Sequence, residues 1–332
     1  MKLLDLFAGI GGFSHGLKMA GMELVGFCEI DKQAHRAFKI LHDPEERLWS
    51  AYDVRTIDPI RLPDFDCMCF GWPCQDNSIA GKRTGQREGT RSGLLYEATR
   101  ILRFKRPRYF IAENVTGLFT VNHGRDFYET IREFTDVGYD VQWGVLNSSA
   151  YVPQNRERIF FVGHLRGERR PEIFPFGGQN ENAVEVIGRV EAQGDDYIKR
   201  VYNTEGISPC LPTMQGGGQI PKIYCVNPRK ADGSQTYQQD RVYRTEGVLP
   251  ALTSQLDGRF NVLIDGAVRE LTPLECFRLQ SFPDEWYYKL EAEGFKKTQL
   301  YKMAGNAVTS RVAYEIGLRL ARSAFVSTES AQ

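Results

Sequence analysis

The chain has 332 residues, 42% of them hydrophobic and 25% charged, with 42 Lys and Arg against 42 Asp and Glu and a net charge of zero. These fractions exclude disordered, collagen-like and disulfide-scaffold classes, and the length points to one large domain carrying a second, smaller one. A zero net charge counts against a nucleic-acid partner unless the charges are segregated along the chain. The seven cysteines, Cys28, Cys67, Cys69, Cys74, Cys210, Cys225 and Cys276, form no C-x-x-C pair, so neither a disulfide framework nor a metal site is expected and a reducing interior is favoured. Asp5 and the glycines from Gly9 interrupt what would otherwise start like a signal peptide, and no apolar stretch is long enough to span a membrane. The expected location is the cytoplasm.

In chain order, the first half alternates short apolar runs with helical periods. Leu3 to Phe7, Leu24 to Ile30, Asp66 to Phe70, Tyr109 to Ala112, Val141 to Leu146 and Ile159 to Val162 suit strands buried on both faces. Between them, Leu94, Ala98, Ile101 and Leu102 are spaced for a helix ended by Pro107, and Phe127, Ile131 and Phe134 for one closed by Gly138. The alternation predicts a mostly parallel, doubly wound α/β sheet with ligands at the carboxyl ends of its strands. Beyond about Leu165 the chain becomes rich in Gly, Pro, Asn and Gln, which reads as a loop-rich or β-rich unit. Within it Arg200-Val201-Tyr202, Thr204-Glu205-Gly206, Pro209 and Leu211 recur 41 positions later as Arg241-Val242-Tyr243, Thr245-Glu246-Gly247, Pro250 and Leu252, a duplicated strand-turn unit. Helical patterning returns from Thr272 and ends in a helix around Ser310 to Ala324, followed by a polar tail.

Four places carry chemistry. Leu3 to Phe13 reads as a strand, a glycine-rich turn and a helix start, where backbone can approach a ligand and helix N–H groups are available. The next strand ends in Glu29-Ile30-Asp31, and an acidic residue there favours a nucleoside ligand over a plain tight corner, while the glycine spacing departs from the nicotinamide-dinucleotide pattern. Cys74 stands just past the strand at Asp66 to Phe70, beside Pro73, where a thiolate could act as nucleophile; Cys67 and Cys69 lie inside the strand and read as inert core. The long loop from Asp76 to Gly93 mixes four glycines with Lys82, Arg83, Arg87 and Arg91, and Lys82 to Arg108 holds nine basic and two acidic residues. That excess beside a candidate nucleophile favours an anionic partner. Glu113, at the end of the next strand, lies at the same sheet edge; read alone it is equally a general acid, a helix cap or a salt-bridge partner.

In this order the segments resemble the DNA (cytosine-5) methyltransferase family. The matching pieces are Asp5 to Phe13, Pro73-Cys74-Gln75 with Ser78 and Ala80-Gly81, Glu113-Asn114-Val115, Gln154-Asn155-Arg156-Glu157-Arg158, Arg269 to Pro273 with Glu275 and Arg278 to Asp284, and Gly305-Asn306-Ala307-Val308. The resemblance covers residues 1–164 and 268–325. It implies a Rossmann-like catalytic and cofactor-binding domain over those two stretches, a smaller target-recognition domain over 165–267, and a tail over 326–332. It further implies S-adenosyl-L-methionine as methyl donor, released as S-adenosyl-L-homocysteine, and duplex DNA as substrate, with the cytosine flipped out of the stack.

Carried over by position, Cys74 would add to cytosine C6, Glu113 would hydrogen-bond N3 and the exocyclic amine, and Arg158, supported by Arg156, would hold O2. Phe7, Ala8, Gly9, Gly11, Gly12, Ile30 and Pro73 would shape the cofactor site, with Phe7 on the adenine, Glu29 at the ribose, Asp53 and Val54 at the adenine edge, and Asn306 and Val308 lining the methionine end. Gln75, Ser78, Lys82, Arg83, Arg87 and Arg91 would contact DNA from a closing loop. Trp72, Asn77 and Ala307 depart from the commonest family pattern without removing a reacting group.

A monomer of bacterial or phage style is expected, with any cognate restriction endonuclease acting separately. The competing readings are the tRNA-acting branch of the same family, against which the long middle block argues, and a catalytically silent DNA-binding relative, against which intact Cys74, Glu113 and Arg158 argue. A nicotinamide oxidoreductase leaves Pro73-Cys74-Gln75 unexplained. The zero net charge is itself a sum, since residues 1–66 hold eight basic and eleven acidic residues while Lys82 to Arg108 is strongly basic. Binding to nucleic acid would then be confined to one cleft and depend on salt.

Overall fold

The computed structural model describes residues 1–73, 92–168, 171–174, 186–189, 200–202, 242–244, 249–250, 261–264, 267–270 and 272–325. By packing the chain falls into two compact units, one of residues 1–146, 157–177 and 307–332, the other of 147–156 and 178–306.

The sequence supplies β1 (Lys2–Leu6), β2 (Glu23–Cys28), β3 (Trp49–Ala51), β4 (Cys67–Gly71), β5 (Tyr109–Val115), β6 (Tyr139–Asn147), β7 (Gln154–Asn155) and β8 (Glu157–Leu165). All of these except β7 form one sheet in the order β3-β2-β1-β4-β5-β8-β6. Strands β3, β2, β1, β4 and β5 are parallel, and β8 runs antiparallel to β5.

Alternate residues of the central strands feed opposite faces, as the two-residue period of a strand requires. Leu4, Met68, Phe70, Phe110, Ala112, Ile159 and Phe161 point to one core, which α3 (Leu95–Lys105) and α4 (Arg125–Asp136) cover with Leu95, Ala98, Ile101, Leu102 and Phe134. Leu3, Phe27, Cys67, Cys69, Tyr109, Ile111, Phe160 and Val162 point to the other. That face is covered by α1 (Gly12–Met19), α2 (Lys32–His42) and the last helix, Ser310–Phe325, through Phe13, Leu17, Phe38, Val312, Ala313, Ile316 and Leu320. The first and last helices cross closely because Gly16 leaves no side chain against Ser310, whose carbonyl oxygen would lie 2.2 Å from an added Cβ.

The predicted strands are present, with differences that have physical causes. The short β3, three half-buried residues, was missed because it carries no run long enough to show a period. Strand β1 stops at Leu6 because Phe7 takes a left-handed backbone, φ 54°. Strand β2 stops at Cys28 because Asp31 already caps α2, accepting hydrogen bonds from the N–H groups of Gln33 and Ala34. Cys28, Cys67, Cys69 and Cys276 are buried, and burial pushes the Cys28, Cys67 and Cys276 thiols up to about 12 and the Cys69 thiol well above its ordinary value, in keeping with the core role expected of Cys67 and Cys69.

The second unit contains α5 (Pro273–Arg278), α6 (Asp284–Ala292) and α7 (Lys297–Asn306), the Ser310–Phe325 helix being α8. Thr272 and Glu275 form a reciprocal capping box that starts α5, and Arg278 makes two hydrogen bonds to Asp284 across the turn into α6. Cys276, Phe277, Phe282, Leu290, Phe295 and Leu300 are buried along these helices. Leu279 accepts a hydrogen bond from the Gln154 side chain of β7, and α5 to α7 fall in the same packing unit as that segment. Both copies of the repeat contribute strands, with different partners. Arg200–Tyr202 pairs antiparallel with Val186–Arg189, and Val242–Arg244 pairs parallel with Asn261–Ile264, which pairs antiparallel with Ala267–Glu270. Leu249–Pro250, in the second copy, pairs parallel with β7. The other repeat positions and the tail at 326–332 lie outside the described residues. No helix among the described residues is long and apolar enough to cross a membrane.

Candidate active site

Between β1 and β4 the order of strands reverses direction, and in an open parallel sheet such a point leaves a crevice at the strands' carboxyl ends. The turn leaving β1 fills that place. Gly9 and Gly11 have φ of 56° and 89°, the left-handed region that favours glycine. An added Cβ on Gly9 would meet nothing within 4 Å, so this part of the turn faces open space. Gly12, in contrast, starts α1 against the backbone of Val308, whose oxygen would lie 2.3 Å from an added Cβ, which joins two residues far apart in sequence that were both singled out for the same ligand.

Side chains fix this turn. Glu29 accepts from the Gly9 N–H through Oε2 and from the Asp31 N–H through Oε1, each at 2.7 Å, and its burial raises its pKa above the usual carboxylate range. Asp5, fully inside the sheet, accepts from the Ser14 hydroxyl at 2.6 Å and the Ser14 N–H at 3.2 Å, so the first turn of α1 is tied to β1. Desolvation raises the Asp5 carboxyl to about 7 despite those bonds. Ile30 is 61% exposed beside Glu29, and Val54 is buried. Asp53 caps the short turn that follows β3 and is engaged by Arg55 through Nε and Nη2, a contact that lowers its pKa. Arg100 of α3 donates to the Val54 and Ile57 carbonyls and so pins the same turn.

The donor set suits a nucleoside. There is a carboxylate for hydroxyls, an exposed apolar residue beside it, and an open glycine where backbone can come close.

The second cluster lies at the ends of β4, β5 and β8. Register pairs Gly71 with Glu113 and Val115 with Arg158. Arg158 Nε stands 2.9 Å from Glu113 Oε1, with both side chains largely buried. Glu113 Oε2 would lie 3.1 Å from a Cβ on Gly71, so glycine at that position lets the carboxylate lie over the end of β4. Trp72, noted as a departure from the family pattern, is buried among Phe70, Phe134 and Phe161 and anchors the chain where it leaves β4. Pro73 follows, half-buried. Cys74, Gln75, Ser78, Lys82, Arg83, Arg87 and Arg91 lie outside the described residues.

Glu113 and Arg158 are thus brought together in one ion pair. Arg156 is different. It is buried in the second unit, its N–H bonds the Asn147 side chain, and its Nη2 stands 3.3 Å from the carbonyl oxygen of Gly305, the residue before Asn306. The sequence reading grouped Arg156 with Arg158, and the structure ties it to the segment that leads into Asn306. Sequence reasoning also missed Asp5 and Arg100 as supports. For Asp5 a signal existed, a carboxylate inside an otherwise apolar strand.

Comparison with known proteins gives the family. The family model for C-5 cytosine-specific DNA methylase matches residues 1–322. The chain is 30% identical to the orphan methyltransferase M.SPRI of Bacillus phage SPR, with 99% of each chain covered. It is 29% identical to the type II methyltransferase M.HhaI of Haemophilus parahaemolyticus, over 96% of this chain and 95% of the relative. The crystal structure of the Dnmt2 methyltransferase of S. pombe shares the fold, with a TM-score of 0.62 at 16% identity, covering 97% of this chain and 99% of that one. The chain belongs to the C-5 cytosine-specific DNA methylase family and is a DNA (cytosine-5) methyltransferase.

Proposed function

We propose that the protein methylates cytosine C5 within a specific sequence of duplex DNA, through a covalent adduct on Cys74. The observation that carries this reading is the Glu113–Arg158 pair at the end of β5 and the start of β8, set against Gly71, three residues before Cys74. Cytosine C5 is a poor nucleophile. Addition of the Cys74 thiolate to C6 makes the ring enamine-like, C5 takes up the methyl group, and loss of the C5 proton with departure of the thiolate restores the aromatic ring. S-adenosylmethionine, which the family implies, supplies that methyl group in electrophilic form.

Glu113 would meet N3 and the exocyclic amine, and Arg158 would hold O2, so both stabilise charge as the thiolate adds. The glycine turn, Glu29, Ile30, Asp53 and Val54 would hold the nucleoside half of the cofactor, and Pro73, Asn306 and Val308 its amino-acid end. C5 is inaccessible in a stacked duplex, so the base is flipped, at a cost of a few kcal/mol. The loop carrying Lys82, Arg83, Arg87 and Arg91 would grip phosphates, and residues 165–267 would read bases in the major groove. The name orphan methyltransferase carried by the SPR phage relative supports modification without a dedicated endonuclease. The enzyme would act as a monomer in the cytoplasm.

The test is transfer of labelled methyl groups to duplex DNA and to tRNA in parallel, followed by bisulfite sequencing of the DNA. Methylation of cytosines in one short sequence context is expected. Transfer to tRNA alone would overturn the DNA assignment, and loss of sequence context would overturn the specificity.

A further inference from the structure

Glu29 and Asp5 hold Gly9 and Ser14, and a third side chain holds the residues between them. His42, at the last position of α2, places Nε2 3.0 Å from the carbonyl oxygen of Ile10. Its ring also fills the space beside Gly11, where an added Cβ would lie 2.1 Å from Nε2, so the left-handed glycine and the imidazole fit each other. The Ile10–Gly11 peptide is planar, and it is bonded on both sides, because the Gly11 N–H donates to the Ala8 carbonyl. A carbonyl oxygen can only accept, so His42 must carry its proton on Nε2. Burial, with smaller contributions from Lys18 and His15, lowers His42 to about 3, so the neutral tautomer makes this bond at working pH.

The platform under the ring is itself fixed. The imidazole packs on Phe38 at 4.4 Å, and Asp43, which caps the end of α2, accepts from the N–H groups of Arg47 and Leu48. At its other end α2 begins at Asp31, whose N–H is held by the same Glu29 carboxylate that holds Gly9.

We propose that His42 is a positioning residue for S-adenosylmethionine, acting through the Ile10 carbonyl to hold the glycine turn in its ligand-ready shape. It touches no reacting atom. This inference rests on the cofactor assignment made above, so the experiment must separate the two.

Binding of S-adenosylhomocysteine is measured by titration calorimetry on the full chain and on His42→Phe, which keeps the ring's bulk without the donor, and on His42→Gln and His42→Asn. The Gln amide reaches the Nε2 position and the shorter Asn amide does not. About ten-fold weaker binding is expected for Phe and Asn, with Gln within two-fold of the parent. Steady-state methylation should show KM for S-adenosylmethionine rising by the same factor in Phe and Asn while kcat changes less than two-fold. Equal affinity of all four proteins overturns the proposal, as does a fall in kcat with KM unchanged. If His42→Phe does not fold, the Gln–Asn difference decides in the same way. Failure of the parent protein itself to bind S-adenosylhomocysteine overturns the cofactor assignment instead.

Discussion

The glycine turn after β1 and the proposed reaction edge at β5 and β8 lie on the same sheet, but they are held by different kinds of bond. In the turn, carboxylates and an imidazole grip backbone N–H and C=O groups, which cannot move without moving the chain. At the reaction edge, Glu113 and Arg158 grip each other through flexible side chains. A backbone clamp gives a fixed shape, which suits a cofactor bound the same way in every turnover. A side-chain ion pair can be exchanged for new partners, which suits the proposed passage of these groups from each other to an incoming base.

The difference predicts which changes affect rate and which affect stability or affinity. The largest effect belongs to the reaction edge. Glu113→Gln should lower kcat for duplex DNA by about 10²–10³-fold, and Arg158→Met by a similar factor. The double variant should be little worse than either, because the two act as a unit. Binding of S-adenosylhomocysteine should be unchanged in all three, and a parallel loss of cofactor binding would erase the distinction between the two regions.

The next effect is a pH dependence seated under the turn. Asp5 faces Ser14 and the Cys69 thiol, with the Glu29 charge also acting on it, and its carboxyl is raised from 3.8 to about 7 in the folded chain. The folded state therefore holds this proton more tightly than the unfolded state. The associated stability is complete below about pH 4 and is lost as pH rises through about 7, a contribution of the order of a few kcal/mol. Asp5→Asn keeps an acceptor for Ser14 and has no charge to form. Urea unfolding from pH 4 to 8 should show the parent losing stability relative to the Asn variant across that window, and parallel curves would contradict the buried carboxylate's role.

A smaller effect is expected where the turn meets the last helix. Gly12→Ala places a methyl group against the Val308 backbone, so about 1–3 kcal/mol of stability should be lost, measured by denaturant unfolding. Weaker S-adenosylhomocysteine binding should accompany it, with kcat at saturating cofactor held near the parent value.

Much of the sheet was legible in the sequence because strands buried on both faces must be apolar throughout, as Cys67 to Phe70 and Ile159 to Val162 are. The glycine turn was legible because left-handed backbone favours glycine. What remained hidden was long-range. Nothing near His42 announces a bond to Ile10, 32 positions earlier, and nothing near Arg156 announces Gly305. Such contacts depend on how finished elements pack, and local period carries no record of that.

The central claim is that Cys74 attacks cytosine in DNA, and trapping tests it most directly. On duplex DNA carrying 5-fluorocytosine at the methylated position, the C5 substituent cannot leave as a proton, so the enzyme should remain covalently joined to the DNA. The account predicts a denaturation-resistant adduct that needs S-adenosylmethionine and is lost in Cys74→Ser. An adduct that survives Cys74→Ser, or no adduct from protein that binds the same duplex and S-adenosylhomocysteine, would contradict it.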